Sequence, residues 1–211
     1  ALGYNTTDYT LLSPHPGIRA AYVDCLKKTL RLAGALGAST VIFHSGGTRC
    51  AGIEEADVKC FLADELKRLD ELACAMDVKL ALENVDYFHP LNRFDFLDSL
   101  DLSHIGICLD IGHAYAPCAG VHVLAKDKPG YLHLKQQTVR SFIEQWGRRI
   151  IHVHAHDYDP KRFPRTCGHR PIGQGIADFA EIVSGLCHVG FTGMLSLEMG
   201  AATVEEMLDS K

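Results

Sequence analysis

The chain has 211 residues, 47% of them apolar, and a formal net charge of −5. That length supports one sizeable core, since a single domain commonly runs ~100–200 residues, so residues 1–211 read as one domain. The acidic balance argues against bulk binding of nucleic acid, which is held through Lys and Arg that displace counterions, and leaves room only for a local basic patch. There is no secretory apolar region, transit peptide or apolar stretch of ~18 residues, which points to a cytoplasmic protein with no membrane partner. Eight cysteines, none in a CxxC pair, fall largely inside apolar periodic segments and read as reduced thiols of the core. The first residue is Ala1 rather than Met, so the true N-terminus is expected to lie upstream.

Helical and strand patterns alternate along the chain. After Pro14-His15-Pro16-Gly17, residues 18–36 place Ile18, Tyr22, Cys25, Leu26, Ala33 and Leu36 at helical spacing. A strand is predicted at 40–44. Residues 53–76 repeat the helical pattern, with Ile53, Val58, Phe61, Leu62, Leu66, Leu69, Leu72 and Ala73 on one stripe and Glu54, Glu55 and Asp57 in the first turn. Strand 79–85 follows. Further on, a short helix near 91–101 precedes strand 105–111, helical segments near 120–147 precede strand 149–155, and a helix near 176–188 precedes strand 194–199. A short sixth strand is expected near His169 to Gly173. Repeated βα units of this kind imply a parallel sheet.

Five of the strands end on a residue able to bind a metal: His44 in TVIFH, Glu83 in KLALE, Asp110 in IGICLD, His154 in IIHVH and Glu198 in MLSLE. Parallel strands that do this bring their polar ends to one face, where carboxylates and imidazoles can surround a divalent ion. Period-two alternation places Thr40 and Ile42 behind His44, Ala81 behind Glu83, Cys108 behind Asp110, His152 behind His154 and Ser196 behind Glu198. A closed barrel of this type needs eight strands. The fold class expected is therefore α/β, a (β/α)8 TIM barrel lacking its first βα units.

The runs VIFHSG, LALENV, GICLDIGHAYA, HVHAHD and HRPIGQGIADF, followed by LSLEM, resemble the xylose isomerase-like barrel superfamily, which includes sugar phosphate isomerases and epimerases and the endonuclease IV group. The resemblance covers nearly the whole chain, in order. It implies a central metal set of Glu83, Asp110, His154 and Glu198. His44, His113 and His169 match positions that bind additional ions in endonuclease IV relatives, or substrate in sugar isomerases. Two departures stand out. Ala1-Leu2-Gly3-Tyr4 occupies the place of a usual His-Ala-Pro-Tyr, and Cys167 stands where an Asp is usual, a thiolate being an alternative zinc ligand. Both weaken a three-metal nuclease more than a single-metal enzyme.

These readings favour an enzyme, a metal-dependent isomerase or epimerase of a small sugar or sugar phosphate. Glu83 and Glu198 are the candidate acid/base pair beside a metal-polarised carbonyl, Asp110 and His154 steady the ion, and His113 contacts a substrate oxygen. Oxygen-rich ligation with one imidazole suits Mn, Co or Mg at least as well as Zn. In the loop after His154, Lys161, Arg162, Arg165 and Arg170 offer a phosphate clasp beside His169, although such a loop is as readily a solvated one. His152 and His156 are expected to support the ligands or lie at the surface. Gly173-Gln174-Gly175 reads as a turn that starts a helix, and Trp146 as packing of the helix layer. The alternatives are a zinc-dependent endonuclease IV-like phosphodiesterase acting at abasic DNA sites, the only reading with a nucleic-acid partner, and a catalytically inactive barrel remnant whose open sheet edge would favour a homo-oligomer.

Overall fold

The computed structural model describes residues 10–13, 15–46, 55–85, 93–115, 131–160 and 168–200. Two compact units divide the chain: residues 1–88 with 92–107, and residues 89–91 with 108–211.

In the first unit, α1 (Pro16–Leu36) starts two residues before the predicted boundary, because Pro16 suits a first turn whose amides have no helical partner. Its buried face is Val23, Leu26, Leu30 and Ala33. Cys25 and Leu36, expected on that face, are exposed, since the 3-4-3 spacing of the buried set rotates both of them off it. Strand β1 (Thr40–Phe43) follows, then α2 (Glu55–Met76) and β2 (Lys79–Glu83). The stripe predicted for α2 is buried at Leu62, Leu66, Leu69 and Ala73. Its last turn closes with the Val78 amide donating to Ala73 O and the Asp77 amide to Cys74 O, which turns the chain directly into β2. β1 and β2 pair in parallel, Phe43 beside Leu82. The helix expected near 91–101 is a 3-10 helix (Arg93–Ser99) that buries Phe94 and Leu97. Asp70, from α2, accepts the amides of Ser103 (3.1 Å) and His104 (2.7 Å) and so fixes the entry into β3 (Ile105–Asp110). Strand order in this unit is β1-β2-β3.

β3 is buried at all six positions and ends in the second unit. Strand 105–111 was one residue too long: Ile111 opens a short helix, α3 (Ile111–Tyr115), which apolar periodicity over so few residues does not reveal. α4 (Tyr131–Trp146) carries buried Val139, Phe142, Ile143 and Trp146, so Trp146 packs the helix layer as expected; the predicted residues 120–130 lie outside the described ones. β4 (Ile150–Ala155) pairs in parallel with β5 (Met194–Leu197), with α5 (Phe179–His188) between them in sequence. The order here is β3-β4-β5. α5 starts three residues later than predicted because Asp178 caps it, accepting the Glu181 amide at 3.0 Å. The sixth strand expected near His169 to Gly173 does not form. A single antiparallel bridge, Asp157 to Arg170, stands there, because Pro171 lacks an amide and His169 (φ 53°) and Gly173 (φ 86°) leave the extended region.

The expectation of core thiols also fails for most of the described cysteines. All five described as free thiols are reduced, but Cys25, Cys60, Cys74 and Cys187 are exposed on helices and only Cys108, in β3, is buried. Among the described residues, no helix is long and apolar enough to cross a membrane.

Candidate metal and acid-base site

In the first unit the ends of β1 and β2 bring two of the expected site residues together. Glu83, the last residue of β2, is buried, and His44, one residue past β1, is exposed. Parallel register sets them side by side, and His44 Nε2 stands 2.9 Å from Glu83 Oε2. The backbone of His44 is held in turn, because the Tyr22 hydroxyl donates to its carbonyl at 2.8 Å.

The second unit holds the larger cluster. Asp110 ends β3 with no exposed surface. Its Oδ1 accepts the His113 amide at 2.6 Å, and His156 Nε2 lies 3.0 Å from the carboxylate. Burial pushes the Asp110 pKa up, but the His156 hydrogen bond, the charges of His113 and His156 and the His113 amide outweigh it and hold the group below its ordinary value. Burial likewise pushes the His156 imidazole down, and the bond to Asp110 with the carboxylate's charge brings it above its ordinary value. His154, in β4, has its Nδ1 2.8 Å from Glu198 Oε2 and 3.9 Å from Asp110 Oδ2. Glu198 follows β5, positioned by its amide donating to Ala155 O at 3.1 Å. Behind this layer, His152 Nε2 and Ser196 Oγ lie 2.8 Å apart, as expected for residues two positions back on one face.

His113 and His169 also converge. Their ring centroids are 5.9 Å apart, and the His169 ring stacks on that of His156 at 4.1 Å. His169 Nδ1 reaches the Glu198 carbonyl at 3.0 Å, and the His169 amide donates to His156 Nδ1 at 2.8 Å. Arg170 points to Gln174, its Nη2 donating to Oε1 at 2.5 Å. Lys161, Arg162, Arg165 and Cys167, together with the stretch Ala1 to Tyr4, lie outside the described residues.

Two residues carry more of the site than the sequence reading gave them. His156, expected beside the ligands or at the surface, is fully buried between Asp110 and His169. Its HxHxHD spacing, in phase with His152 and His154, was the signal for an inward position. Asp157 is the second of the two. It accepts the amides of Gly173 (3.0 Å), Gly175 (2.8 Å), Ala177 (3.0 Å) and Tyr158 (2.8 Å), and so ties the 168–177 segment to the end of β4. At Gly175 a Cβ would run into the Asp157 carboxylate and the Tyr158 carbonyl, so only glycine permits that approach.

The side chains present fit a divalent cation. Asp110, His156 and Glu198 each offer an atom within 4.8 Å of the others, and so do His113, His156 and His169. A fully buried carboxylate facing a second carboxylate across an imidazole is costly unless positive charge joins it, and its oxygen-rich donor set is the kind that hard and borderline divalent ions select.

A sequence model of the family described as "Xylose isomerase-like TIM barrel" matches residues 2–210. The chain belongs to that family. Among curated relatives, it is 25% identical over 198 residues to the L-ribulose-5-phosphate 3-epimerase UlaE of Salmonella typhi, covering 93% of this chain and 62% of the relative. Among solved structures, a D-tagatose 3-epimerase-like protein superposes with a TM-score of 0.72 at 22% identity, over 97% of this chain and 71% of the other. The IOLI protein with a bound zinc atom superposes with a TM-score of 0.66 at 18% identity, over 94% and 66%. The chain spans about three-fifths of the length of the curated relatives it matches, 61% and 62%. This xylose isomerase-like chain thus has the TIM-barrel fold class expected from its strand ends.

Proposed function

We propose that the protein is a metal-dependent epimerase or isomerase of a small sugar or sugar phosphate. The observation that carries the reading is the convergence, at the ends of β3, β4 and β5, of Asp110, His154 and Glu198 in a member of this family. Glu83, Asp110, His154 and Glu198 would hold the ion, Mn, Co, Mg or Zn. When bound, it would polarise the sugar carbonyl and its neighbouring hydroxyl and so acidify the hydroxyl-bearing carbon next to the carbonyl.

Glu83 and Glu198 would exchange the proton at that carbon, one removing it and the other returning it. His44, 2.9 Å from Glu83, would orient its carboxylate. His154, 2.8 Å from Glu198, would do the same on its side. His113 would donate to a substrate oxygen, with His169 beside it. Arg170, with Lys161, Arg162 and Arg165, would take a phosphate if the sugar carries one. Epimerases among the relatives and structural neighbours support this reading over the abasic-site nuclease and the inactive remnant. Arrangement as one domain, which rests on length, and cytoplasmic location, which rests on the sequence patterns above, belong to the same proposal, while self-association is expected from an open sheet edge.

The test is incubation in deuterium oxide with added Mn²⁺, Co²⁺, Mg²⁺ or Zn²⁺ and a panel of ketoses and ketose phosphates. Deuterium appearing at the carbon next to the carbonyl, with formation of the epimer or aldose, is the expected result. Cleavage of abasic DNA without any sugar exchange would overturn the reading.

A further inference from the structure

We propose that His156 is a positioning residue that locks Asp110 and the segment bearing His169 into one unit, so that metal affinity at Asp110 and the placement of His169 depend on a single imidazole. The inference rests on the metal reading above and assigns to His156, whose ring also lies within ligand distance of Asp110 and Glu198, the part of a support rather than a ligand, because Asp110 and the His169 amide occupy its two nitrogens.

Both ring nitrogens of His156 are engaged. Nε2 faces Asp110 at 3.0 Å, and Nδ1 accepts the His169 amide at 2.8 Å. In the neutral ring an Nδ1 that accepts the His169 amide leaves the proton on Nε2; in the charged ring Nε2 is a donor as well, with Nδ1 facing the Asp157 carbonyl at 3.2 Å, so in either form Nε2 donates to the Asp110 carboxylate and fixes which way its oxygens face. The ring is held on its other sides as well. It is fully buried, stacks on His169 at 24° between planes, and touches Gly112 so closely that a Cβ there would enter the ring. Gly112 lies in α3, two residues after Asp110, and leaves the space in which His156 reaches that carboxylate.

His169 shows what the other nitrogen does. Its φ of 53° is a left-handed conformation that strains a non-glycine residue, so its surroundings must hold it there. The bond to His156 is one such restraint, and the Gly200 amide donating to His169 O at 3.0 Å is another. Through His169 Nδ1, 3.0 Å from the Glu198 carbonyl, the same imidazole is one step from the end of β5. His156 therefore joins, through one ring, a residue of β3, the segment after β4 and the residue after β5.

Loss of a partner that orients a metal ligand typically lowers metal affinity ~10–100-fold. Zn²⁺ alone is titrated into the full chain by competition with a chromophoric chelator, for the unaltered protein, His156→Gln and His156→Met, with amide deuterium exchange of the 168–172 segment read on the same metal-free samples. His156→Met keeps volume and removes both polar contacts. It should bind ~10–100-fold more weakly and exchange faster at His169. His156→Gln keeps a donor for Asp110 and should recover most of the affinity, a rescue that a purely space-filling role would not give. If the Met variant does not fold, Gly112→Ala takes its place, since it leaves His156 present and crowds its ring. It too should bind at least ~10-fold more weakly. Binding by the Met or Ala variant within twofold of the unaltered protein overturns the inference while leaving the metal reading standing. No binding by the unaltered protein overturns the metal reading itself, and this inference with it.

Discussion

The two compact units bury polar groups of different kinds. In the first, helix α2 packs Leu62, Leu66, Leu69 and Ala73 into the core, buried Asp70 accepts the Ser103 and His104 amides, and at the strand ends buried Glu83 stands against exposed His44. In the second, the buried polar groups include two imidazoles, His152 and His156. Asp110 is buried against His156, Asp157 is buried against four backbone amides, and His152 meets Ser196 within the β4–β5 pair. An apolar core responds to volume alone. A bonded polar cluster responds to protons and cations too, which is what a site that handles both requires.

The sharpest way to break this contrast is at the chemistry. Glu198→Gln keeps shape and removes the base, and turnover on the sugar found by the exchange screen should fall ~100–10,000-fold while the melting temperature hardly moves. Steady-state rates decide it; an unchanged rate removes Glu198 from the reaction.

Next is Asp110→Ala, which leaves buried His156 without its carboxylate and should destabilise the metal-free protein by about 3–5 kcal/mol. The pH dependence of unfolding separates this from a packing effect. Asp110 is held below its ordinary value, so the stability it confers is present above the usual carboxylate range and is lost as pH falls through its lower folded value. His156 is held above its ordinary value, so its share is present below ~6.5 and is lost as pH rises through the folded value. Metal-free protein should thus be most stable between those limits, and Asp110→Ala should flatten both flanks in denaturant titrations across pH.

Leu66→Ala in the first unit is the matched control. It should cost about 2–5 kcal/mol through lost burial and cavity, by an amount that does not change with pH. A pH-dependent loss at Leu66 would undo the contrast. The smallest effect expected is at Asp178→Ala, which removes the cap of α5 and should cost about 1 kcal/mol in the same assay.

Much of this was legible in the sequence because it depends on local pattern. The βα alternation, the runs TVIF, KLALE, IGICLD, IIHVHA and MLSL, and the α2 stripe all follow from periodicity, and period two put His152 and Ser196 on one face. What sequence reading missed depends on single atoms. α3 is too short to show a period. The bridge at Asp157 and Arg170 looked like a strand because Pro171 and the left-handed His169 act only on geometry. Cys25 and Leu36 fell off the buried face of α1 by about one position, the resolution of a stripe drawn without its packing partner. His156 lay in the right phase, but its place between Asp110 and His169 needed the space that Gly112 leaves.

Metal content per chain, measured by elemental mass spectrometry on protein purified without a His-tag or chelator, tests the proposed site most directly. About one equivalent of Mn, Co, Mg or Zn is expected in the unaltered chain, with most of it lost in Asp110→Ala. No metal, and no uptake when metal is added, would contradict the metal reading.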